Sequence, residues 1–429
     1  MRKPVTCHGC PFFEVSRDIV PDEIREGAEV FIIGQNPGAE EEAQGKPFVG
    51  KTGAMMEAIY LRKANLSREQ VSLGNIIRCR YGRSNELPPY TEKKVKEAIA
   101  HCTSAHLKIP PSTRVIVSQG DYAAIGLTGE PVGEWRGYLR PLGGEQVEEP
   151  WVPSSFDPLP VLVTSHLARL FRTPALIIPT QNDWVKVQRY LTGTWPRMHP
   201  AFAAHRPDPW PRMIAFDTEY HHDSLIRWSI SWGPGEGETY VEEGLGEPWP
   251  LKSWGGRVIT QYAPADIRWL QKLNRDFDPF EAYTIEDTVW KHAVLWGDQE
   301  HSLNYLASIY SPFNRHKHLA DTNPTLYSGL DALVLWHVDQ ALERELTADP
   351  NSRKVWETID RPAIPLFVKA QYRGLRTDQA RVTEVQAQLK HQSQRAQEQA
   401  QAIVGWPINL GSNPQVAHRL YTEERLKHA

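Results

Sequence analysis

Residues 29–56 constrain the fold of this chain more than any other stretch. They begin with an apolar, β-branched run at residues 30–33, of the length expected for a buried strand. The run ends in a Gly/Pro turn at residues 34–38, and a glycine-rich loop follows at residues 45–53. Because ligands bind beside the carboxyl ends of strands in α/β sheets, we expect a binding site here. Phe48 lies between glycines, where its ring suits stacking on a flat ligand better than core packing.

The two loops read Gly34-Gln35-Asn36-Pro37-Gly38 and Gly45-Lys46-Pro47-Phe48-Val49-Gly50. They resemble the signature of family 4 uracil-DNA glycosylases. Three later segments agree with that family in the same order, at residues 73–79, 115–124 and 163–172. The resemblance covers residues 1–195 and implies a three-layer α/β/α domain. We expect Asn182 and Asp183 to cap the last helix of this domain.

The resemblance also implies roles for individual residues. Uracil would be bound by Gln35, Phe48 and Asn75, and its bond to the sugar would be cleaved with the help of Asn36 and His166. Gln35 stands where the family usually has a carboxylate, and Leu167 stands where it has a proline. Asn36 instead resembles the water-holding Asn of mismatch-type glycosylases. Three outcomes therefore stay open: full excision, slow excision, or uracil binding alone.

The chain has four cysteines, Cys7, Cys10, Cys79 and Cys102, and the first two form a Cys-x2-Cys pair. Four thiols in so long a chain argue against a disulfide scaffold and favour one metal site. The residues alone do not separate zinc from iron–sulfur. The resembled family holds a [4Fe–4S] cluster through four cysteines placed in this way, so the resemblance implies iron.

Five prolines between Trp195 and Arg212 predict an extended linker at residues 196–212. A new domain is predicted at residues 213–348, where an apolar run leads into Asp217-Thr218-Glu219. Side chains alternate along a strand, so Asp217 and Glu219 share a face, and a cation between them would offset their repulsion.

Two later features complete a second resemblance. Asp266 follows a predicted strand, and Tyr327 and Asp331 lie four residues apart on a predicted helix. With Asp217 and Glu219 they resemble the three motifs of the 3′–5′ proofreading exonuclease domain of family A DNA polymerases. The resemblance implies a ribonuclease H-like α/β domain that hydrolyses a single-stranded 3′ end. Mg²⁺ or Mn²⁺ would be held by Asp217, Glu219 and Asp331, with Asp266 on a second ion and Tyr327 orienting water.

Residues 349–429 resemble the entry to the polymerase domain, with a long helix expected to end at Gly405 and the helical start of the thumb after it. Palm and fingers are absent, so we expect a fragment or one half of a split polymerase. Three hypotheses follow: a bifunctional enzyme, an exonuclease whose glycosylase fold only senses uracil, or an assembly subunit that docks a separate palm-and-fingers chain.

Composition sets the remaining expectations. A hydrophobic content of 40% and a charged content of 23% are globular values, and a net charge of −4 means that any DNA-binding surface is local. No apolar run is long enough to cross a bilayer and no secretory signal precedes the cysteine pair. We therefore predict an α/β multidomain protein with DNA as its partner, in the cytoplasm of a bacterium or a phage-infected host.

Overall fold

A computed structural model describes residues 3–144, 158–196, 200–222, 224–233, 238–244, 254–273, 278–405 and 407–418. The chain forms two compact units, Met1–Lys369 and Ala370–Ala429. The first unit contains two five-stranded sheets. We call residues 3–196 the N-lobe and residues 200–369 the central lobe. Within the described ranges, no helix is both long and apolar enough to span a membrane.

Strands and short helices alternate through the N-lobe. Its strands are β1 (Ser16–Ile19), β2 (Val30–Gly34), β3 (Val71–Asn75), β4 (Cys79–Tyr81), β5 (Val115–Gln119), β6 (Leu139–Pro141) and β7 (Pro160–Thr164). Its α-helices are α1 (Ala39–Gln44), α2 (Lys51–Met55), α3 (Lys93–His106), α4 (Asp121–Thr128), α5 (Leu167–Leu170) and α6 (Ile177–Leu191).

The large sheet of the N-lobe has the order β3-β2-β5-β7-β6. All its neighbouring pairs are parallel except β6 with β7. β2 is buried along its whole length, and its side chains alternate between two hydrophobic clusters: Val30 and Ile32 pack with Trp184, whereas Phe31 and Ile33 pack with Ile99. Helices therefore cover both faces of the sheet, and the predicted α/β architecture is confirmed.

The central lobe contains the other large sheet. Its strands are β8 (Met213–His221), β9 (Ser224–Ser231), β10 (Thr239–Glu243), β11 (Arg257–Thr260) and β12 (Thr284–Asp287). Its α-helices are α7 (Ala263–Leu273), α8 (Pro279–Ala282), α9 (Thr288–Leu295), α10 (Leu303–Tyr310), α11 (Leu319–Thr322), α12 (Pro324–Ala348) and α13 (Pro350–Val355). The sheet order is β10-β9-β8-β11-β12; β8, β9 and β10 are antiparallel, whereas β8, β11 and β12 are parallel.

The predicted linker runs beside the second sheet. Phe202 forms a parallel bridge with Thr239 at the edge strand β10. A side chain on Gly329 of α12 would meet the Phe202 ring, since an added Cβ would lie 2.4 Å from Phe Cε1. Residues 200–212 thus line the edge of the sheet, and residues 197–199 lie outside the described part of the chain.

Residues 350–369 pack with the central lobe, although the sequence suggested a new domain from residue 349. Trp356 and Val368 are buried, and the Phe367 ring lies 5.1 Å from that of Trp290. This part of the chain consists of α13, a π-helical turn at Trp356–Asp360, which contains Trp356, and α14 (Arg361–Arg373), which contains Phe367 and Val368. The second unit contains α15 (Gln379–Val404) and α16 (Asn413–His418), and α15 ends at Gly405 as predicted, with a left-handed φ of 83°.

A buried polar network joins the two lobes. Asp183 is fully buried, and it accepts hydrogen bonds from Arg136 at 2.9 Å and from Thr164 at 2.6 Å. The other arm of Arg136 donates to Ser308 in the central lobe. Lys186 donates to the backbone oxygens of Gly137 at 2.6 Å and Ser308 at 2.7 Å. These contacts connect β7, α6 and α10 across the junction.

Asp183 is therefore not a helix cap, and that prediction was wrong. α6 begins at Ile177, six residues earlier, so Asp183 lies inside the helix. An interior Asp is unfavourable by helix propensity, but here its carboxylate compensates the buried guanidinium of Arg136. The tertiary contact overrides the local capping pattern.

Replacing Asp183 with alanine should destabilise the protein by about 3 kcal/mol or more, because Arg136 would keep a buried charge without its partner. Urea unfolding followed by tryptophan fluorescence measures the change. Glu97→Ala is the control, since Glu97 pairs with Lys93 at the surface and its loss should change stability by less than about 1 kcal/mol. Equal losses in the two variants would contradict the role given to Asp183.

Candidate functional site

An open cavity of about 430 Å³ lies at the carboxyl ends of β2, β3 and β7. The first Gly/Pro turn, the second glycine-rich loop and the start of α5 surround it, as expected for an α/β sheet. Five of the residues predicted for this site line the cavity together: Gln35, Asn36, Phe48, Asn75 and His166.

Phe48 and Asn75 are buried residues that line this cavity, and Phe48 also packs in the hydrophobic cluster that contains Trp184, whereas the sequence favoured a ring held for a ligand over core packing. Asn75 is only 4% exposed, and its Nδ2 has no hydrogen-bond partner. Gly34 allows both side chains to approach, because a Cβ there would lie 2.6 Å from Asn75 Oδ1 and 2.8 Å from Phe48 Cζ. Gly53 is required for the same loop, since its Cβ would lie 1.8 Å from the Phe48 carbonyl oxygen. The result is a flat slot with one unused amide donor.

Glu41 holds the two loops of the cavity in place. Its carboxylate accepts a hydrogen bond from the backbone N–H of Gly38 at 2.5 Å and another from that of Phe48. Phe48 has a positive φ of 55°, an uncommon conformation for a non-glycine residue, and this second bond helps to hold it. The sequence analysis did not identify this role, because an acidic run at a helix start is typical of a solvated surface.

Asn36 is positioned by a residue that the sequence analysis missed. Its Nδ2 donates to Asn85 Oδ1 at 2.7 Å, and Asn85 Nδ2 donates to the Pro37 carbonyl at 3.1 Å. Asn85 lies 49 residues further along the chain, in a loop without a recognisable pattern. Its contacts fix the amide of Asn36 at the edge of the cavity.

His166 caps α5 and is held in one tautomer. Its Nδ1 accepts a hydrogen bond from the backbone N–H of Ala168 at 3.2 Å, which places the ring proton on Nε2. Burial, with a contribution from the charge of Arg172, lowers the pKa of His166 to about 4. The ring is therefore neutral at pH 7 and presents one N–H donor.

The four cysteines line one small pocket beside the small sheet of β1 and β4. Backbone N–H groups point at two of the sulfurs, with Phe12 N 3.5 Å from Cys10 Sγ and Arg78 N 3.4 Å from Cys102 Sγ. All four thiols are free. Burial is the main cause that raises the pKa of Cys79 to about 11. Four convergent thiols with amide donors suit a metal centre.

A second group of functional side chains lies in the central lobe. Asp217 and Glu219 extend from β8, and Asp331 extends from α12. These three carboxylates can place their oxygens within 4.8 Å of one another, and no other set of three His, Cys, Asp or Glu residues does so in the described ranges. Oxygen ligands at this spacing suit Mg²⁺ or Mn²⁺.

Two basic residues, His316 and Lys317, face this carboxylate group. His316 Nε2 lies 2.7 Å from Asp331 Oδ1, and Lys317 Nζ lies 2.6 Å from the Tyr327 hydroxyl and 3.7 Å from Asp331 Oδ2. Burial opposes ionisation of Asp331, but the bond from His316 and both nearby charges outweigh it and lower its pKa. Burial and the neighbouring carboxylates raise the pKa of Asp217. Neither His316 nor Lys317 was predicted from the sequence, because no motif includes them.

Asp266 stands apart from the three grouped carboxylates. It lies on α7 and accepts a hydrogen bond from Thr218 at 2.7 Å, on the strand that carries Asp217. Burial is the first cause that raises the pKa of Asp266 to about 7. Tyr327 is one turn before Asp331 on α12, as its spacing predicted.

Residues 21–207 match the model of the Uracil DNA glycosylase superfamily, and this part of the chain is a domain of that superfamily. Curated relatives of this chain are type-4 uracil-DNA glycosylases. The type-4 uracil-DNA glycosylase of Saccharolobus solfataricus is 28% identical over 195 residues, which are 44% of this chain and 82% of that protein. That of Pyrobaculum aerophilum is 28% identical over 189 residues, which are 41% of this chain and 85% of that protein.

One solved structure shows a partial likeness to this chain. The POL domain of Pol1 from M. smegmatis, in complex with DNA primer-template and dNTP, aligns with 49% of this chain and 36% of its own, at 17% identity and a TM-score of 0.33. A TM-score of this size does not establish a common fold.

Proposed function

We propose that the N-lobe excises uracil from DNA. The observation that carries this proposal is the buried Nδ2 of Asn75, which has no partner in a cavity shared with Phe48 and His166. A buried amide N–H without a hydrogen-bond acceptor destabilises the folded protein unless a ligand accepts a hydrogen bond from it. Uracil offers the matching edge, because its O4 accepts from Nδ2 and its N3–H donates to Oδ1, whereas cytosine presents the reverse pattern.

The geometry supports a mechanism in three parts. A base flipped from the helix, at a cost of a few kcal/mol, would stack on Phe48 in the slot. Cleavage of the glycosidic bond leaves negative charge on the departing base, and the Nε2–H of His166 would donate to that charge. The amide of Asn36, fixed by Asn85, would hold the water that attacks the sugar. Gln35 carries no charge, so it does not serve as a general base.

Asn75→Asp should lower uracil excision about a hundredfold or more, because a carboxylate cannot donate to O4 and would repel it. Release of alkali-labile sites from a uracil oligonucleotide measures the rate. The wild-type rate should stay flat from pH 5 to 8 and change only as the pH approaches about 4, because protonation of His166 Nδ1 then breaks the hydrogen bond from Ala168 that orients the ring.

Two results would contradict this mechanism. Excision by Asn75→Asp at the wild-type rate would exclude the proposed contact with uracil. Binding of uracil-containing DNA by the wild type without any alkali-labile product would favour the alternative, in which the fold only senses uracil. Asp217→Ala is the matched control, since it lies in the central lobe and should leave excision unchanged.

We further propose that the four cysteines hold a [4Fe–4S] cluster. The four thiols line one pocket, and backbone N–H groups point at the sulfurs of Cys10 and Cys102, as suits thiolates that bind such a cluster. The cluster would connect the chain start, β4 and α3 and so support the fold of the N-lobe.

Protein purified without oxygen should contain about four irons per chain and a broad visible absorbance, measured by metal analysis and spectroscopy. Cys102→Ser should lose both. His106→Ala is the control, since His106 lies 3.4 Å from Cys7 Sγ but is no ligand in this proposal. One zinc per chain and no iron would contradict it.

We also propose a metal-dependent 3′–5′ exonuclease in the central lobe. The strand order and directions of its sheet are those of a ribonuclease H-like domain, and the carboxylates of β8 and α12 converge on its central strand. Divalent ions held there would stabilise the attacking and leaving oxygens. Tyr327 would orient the water that attacks the terminal phosphodiester, and the 3′ oxygen of the preceding nucleotide would leave, releasing a nucleoside monophosphate.

Asp331→Asn should slow Mg²⁺-dependent trimming of a single-stranded 3′ end about a hundredfold or more, because one oxygen ligand and its charge are lost. A 5′-labelled oligonucleotide resolved on a gel measures trimming. Glu243→Gln is the control, since this carboxylate is exposed at the end of β10 and pairs with Arg227. Unchanged trimming by Asp331→Asn would exclude the carboxylate group as the active site.

A further inference from the structure

One loop of the central lobe contacts both the N-lobe and the carboxylate group. We call residues 311–318, between α10 and α11, the bridging loop. None of the motifs in the sequence includes it, and neither proposed reaction explains its contacts with the N-lobe.

The first half of the bridging loop is attached to the N-lobe. Asn314 is 3% exposed and pairs with the backbone of Leu139 in β6: its Oδ1 accepts from the Leu139 N–H at 3.0 Å, and its Nδ2 donates to the Leu139 carbonyl at 3.0 Å. Arg315 forms an ion pair with Glu134 and lies 4.6 Å from the Trp135 ring centre. Asn314 thus occupies a backbone pairing position that a further strand would otherwise use.

The second half of the bridging loop reaches the carboxylate group. His316 contacts Asp331, and Lys317 contacts both Tyr327 and Asp331. Only Arg315 separates Asn314 from His316, so their Cα atoms are at most about 7 Å apart. The pairing of Asn314 with β6 therefore limits where the His316 and Lys317 side chains can lie.

We propose that the N-lobe positions the exonuclease site: Asn314, held by β6, is a positioning residue that places the ammonium of Lys317 against Tyr327 and Asp331. This inference rests on the proposed exonuclease. A correctly placed ammonium would contact the phosphate of the 3′-terminal nucleotide and orient the Tyr327 hydroxyl. A displacement of about 1 Å at such a site lowers a rate by as much as a hundredfold.

The position of Lys317 also has a consequence that does not depend on catalysis. A positive charge beside three carboxylates opposes the binding of a divalent cation, because like charges repel strongly at about 4 Å. Removing the ammonium should therefore tighten cation binding. Releasing the bridging loop from β6 should do the same to a smaller extent, since Lys317 would then spend less time at the site.

The experiment uses the full chain and two measurements, Mn²⁺ binding by electron paramagnetic resonance and trimming of a 5′-labelled single strand at saturating DNA. The variants are Asn314→Ala, Lys317→Ala and the double variant. Tyr138→Phe is the matched control: it removes one hydrogen bond between the lobes, the 2.8 Å bond to the Asn304 carbonyl, and leaves both hydrogen bonds of Asn314 with Leu139 in place. Asp331→Asn defines background Mn²⁺ binding.

We expect Lys317→Ala to bind Mn²⁺ at least about fivefold more tightly. Asn314→Ala should show part of this gain, and the double variant should match Lys317→Ala. Trimming by Asn314→Ala should fall about tenfold or more, while Tyr138→Phe stays within about twofold of wild type. A general loss of folding would weaken Mn²⁺ binding and slow trimming. Tighter Mn²⁺ binding together with slower trimming therefore distinguishes a displaced Lys317 from an unfolded protein.

The outcomes separate this inference from the exonuclease itself. Wild-type protein that trims no DNA, but whose Mn²⁺ affinity rises in Asn314→Ala, would exclude the exonuclease and retain the positioning role. Normal trimming and unchanged Mn²⁺ affinity in Asn314→Ala would overturn the positioning role. Weaker Mn²⁺ binding in Asn314→Ala would also overturn it, since the variant would then act through damage to the fold.

Discussion

The buried pair of Arg136 and Asp183 is the interaction on which the arrangement of the two lobes depends. Taking both charges out of water is favourable only where each keeps several partners, and here Thr164 and Ser308 supply them. Thr164 ends the strand that leads to His166, so the same network supports the cavity of the N-lobe and the junction. A glycosylase superfamily domain is thus built into the first compact unit together with the central lobe.

The two proposed sites differ in charge: the groups proposed to contact uracil in the N-lobe are neutral, whereas the site of the central lobe contains three carboxylates. In the N-lobe, burial keeps His166 neutral and Asn75 Nδ2 has no partner, so the site suits a neutral base. In the central lobe, three carboxylates are held together, and His316 and Lys317 offset part of their repulsion. Neighbouring carboxylates repel one another unless positive charge lies between them. The site of the central lobe therefore suits divalent cations, whereas the cavity of the N-lobe does not.

The sequence predicts those features whose residues lie close together in it. The loop carrying Phe48, the strand alternation of Asp217 and Glu219, and the helical spacing of Tyr327 and Asp331 all follow from local periodicity. Contacts between distant segments have no local pattern, which is why the partner of Asn36 and the cations beside Asp331 were missed. The capping role predicted for Asp183 was wrong for the same reason, since its partner Arg136 lies 47 residues earlier. Domain boundaries and the split-polymerase hypothesis stay predictions.

The central claim is that one chain carries two separate chemistries, uracil excision without a divalent ion and 3′ trimming with one. A single 5′-labelled strand with an internal uracil tests it, incubated first in EDTA and then in Mg²⁺, with half of each sample treated with hot alkali. We expect alkali-dependent cleavage at uracil in EDTA and an added 3′ ladder in Mg²⁺. An intact uracil in both conditions, or a ladder that persists in EDTA, would contradict it.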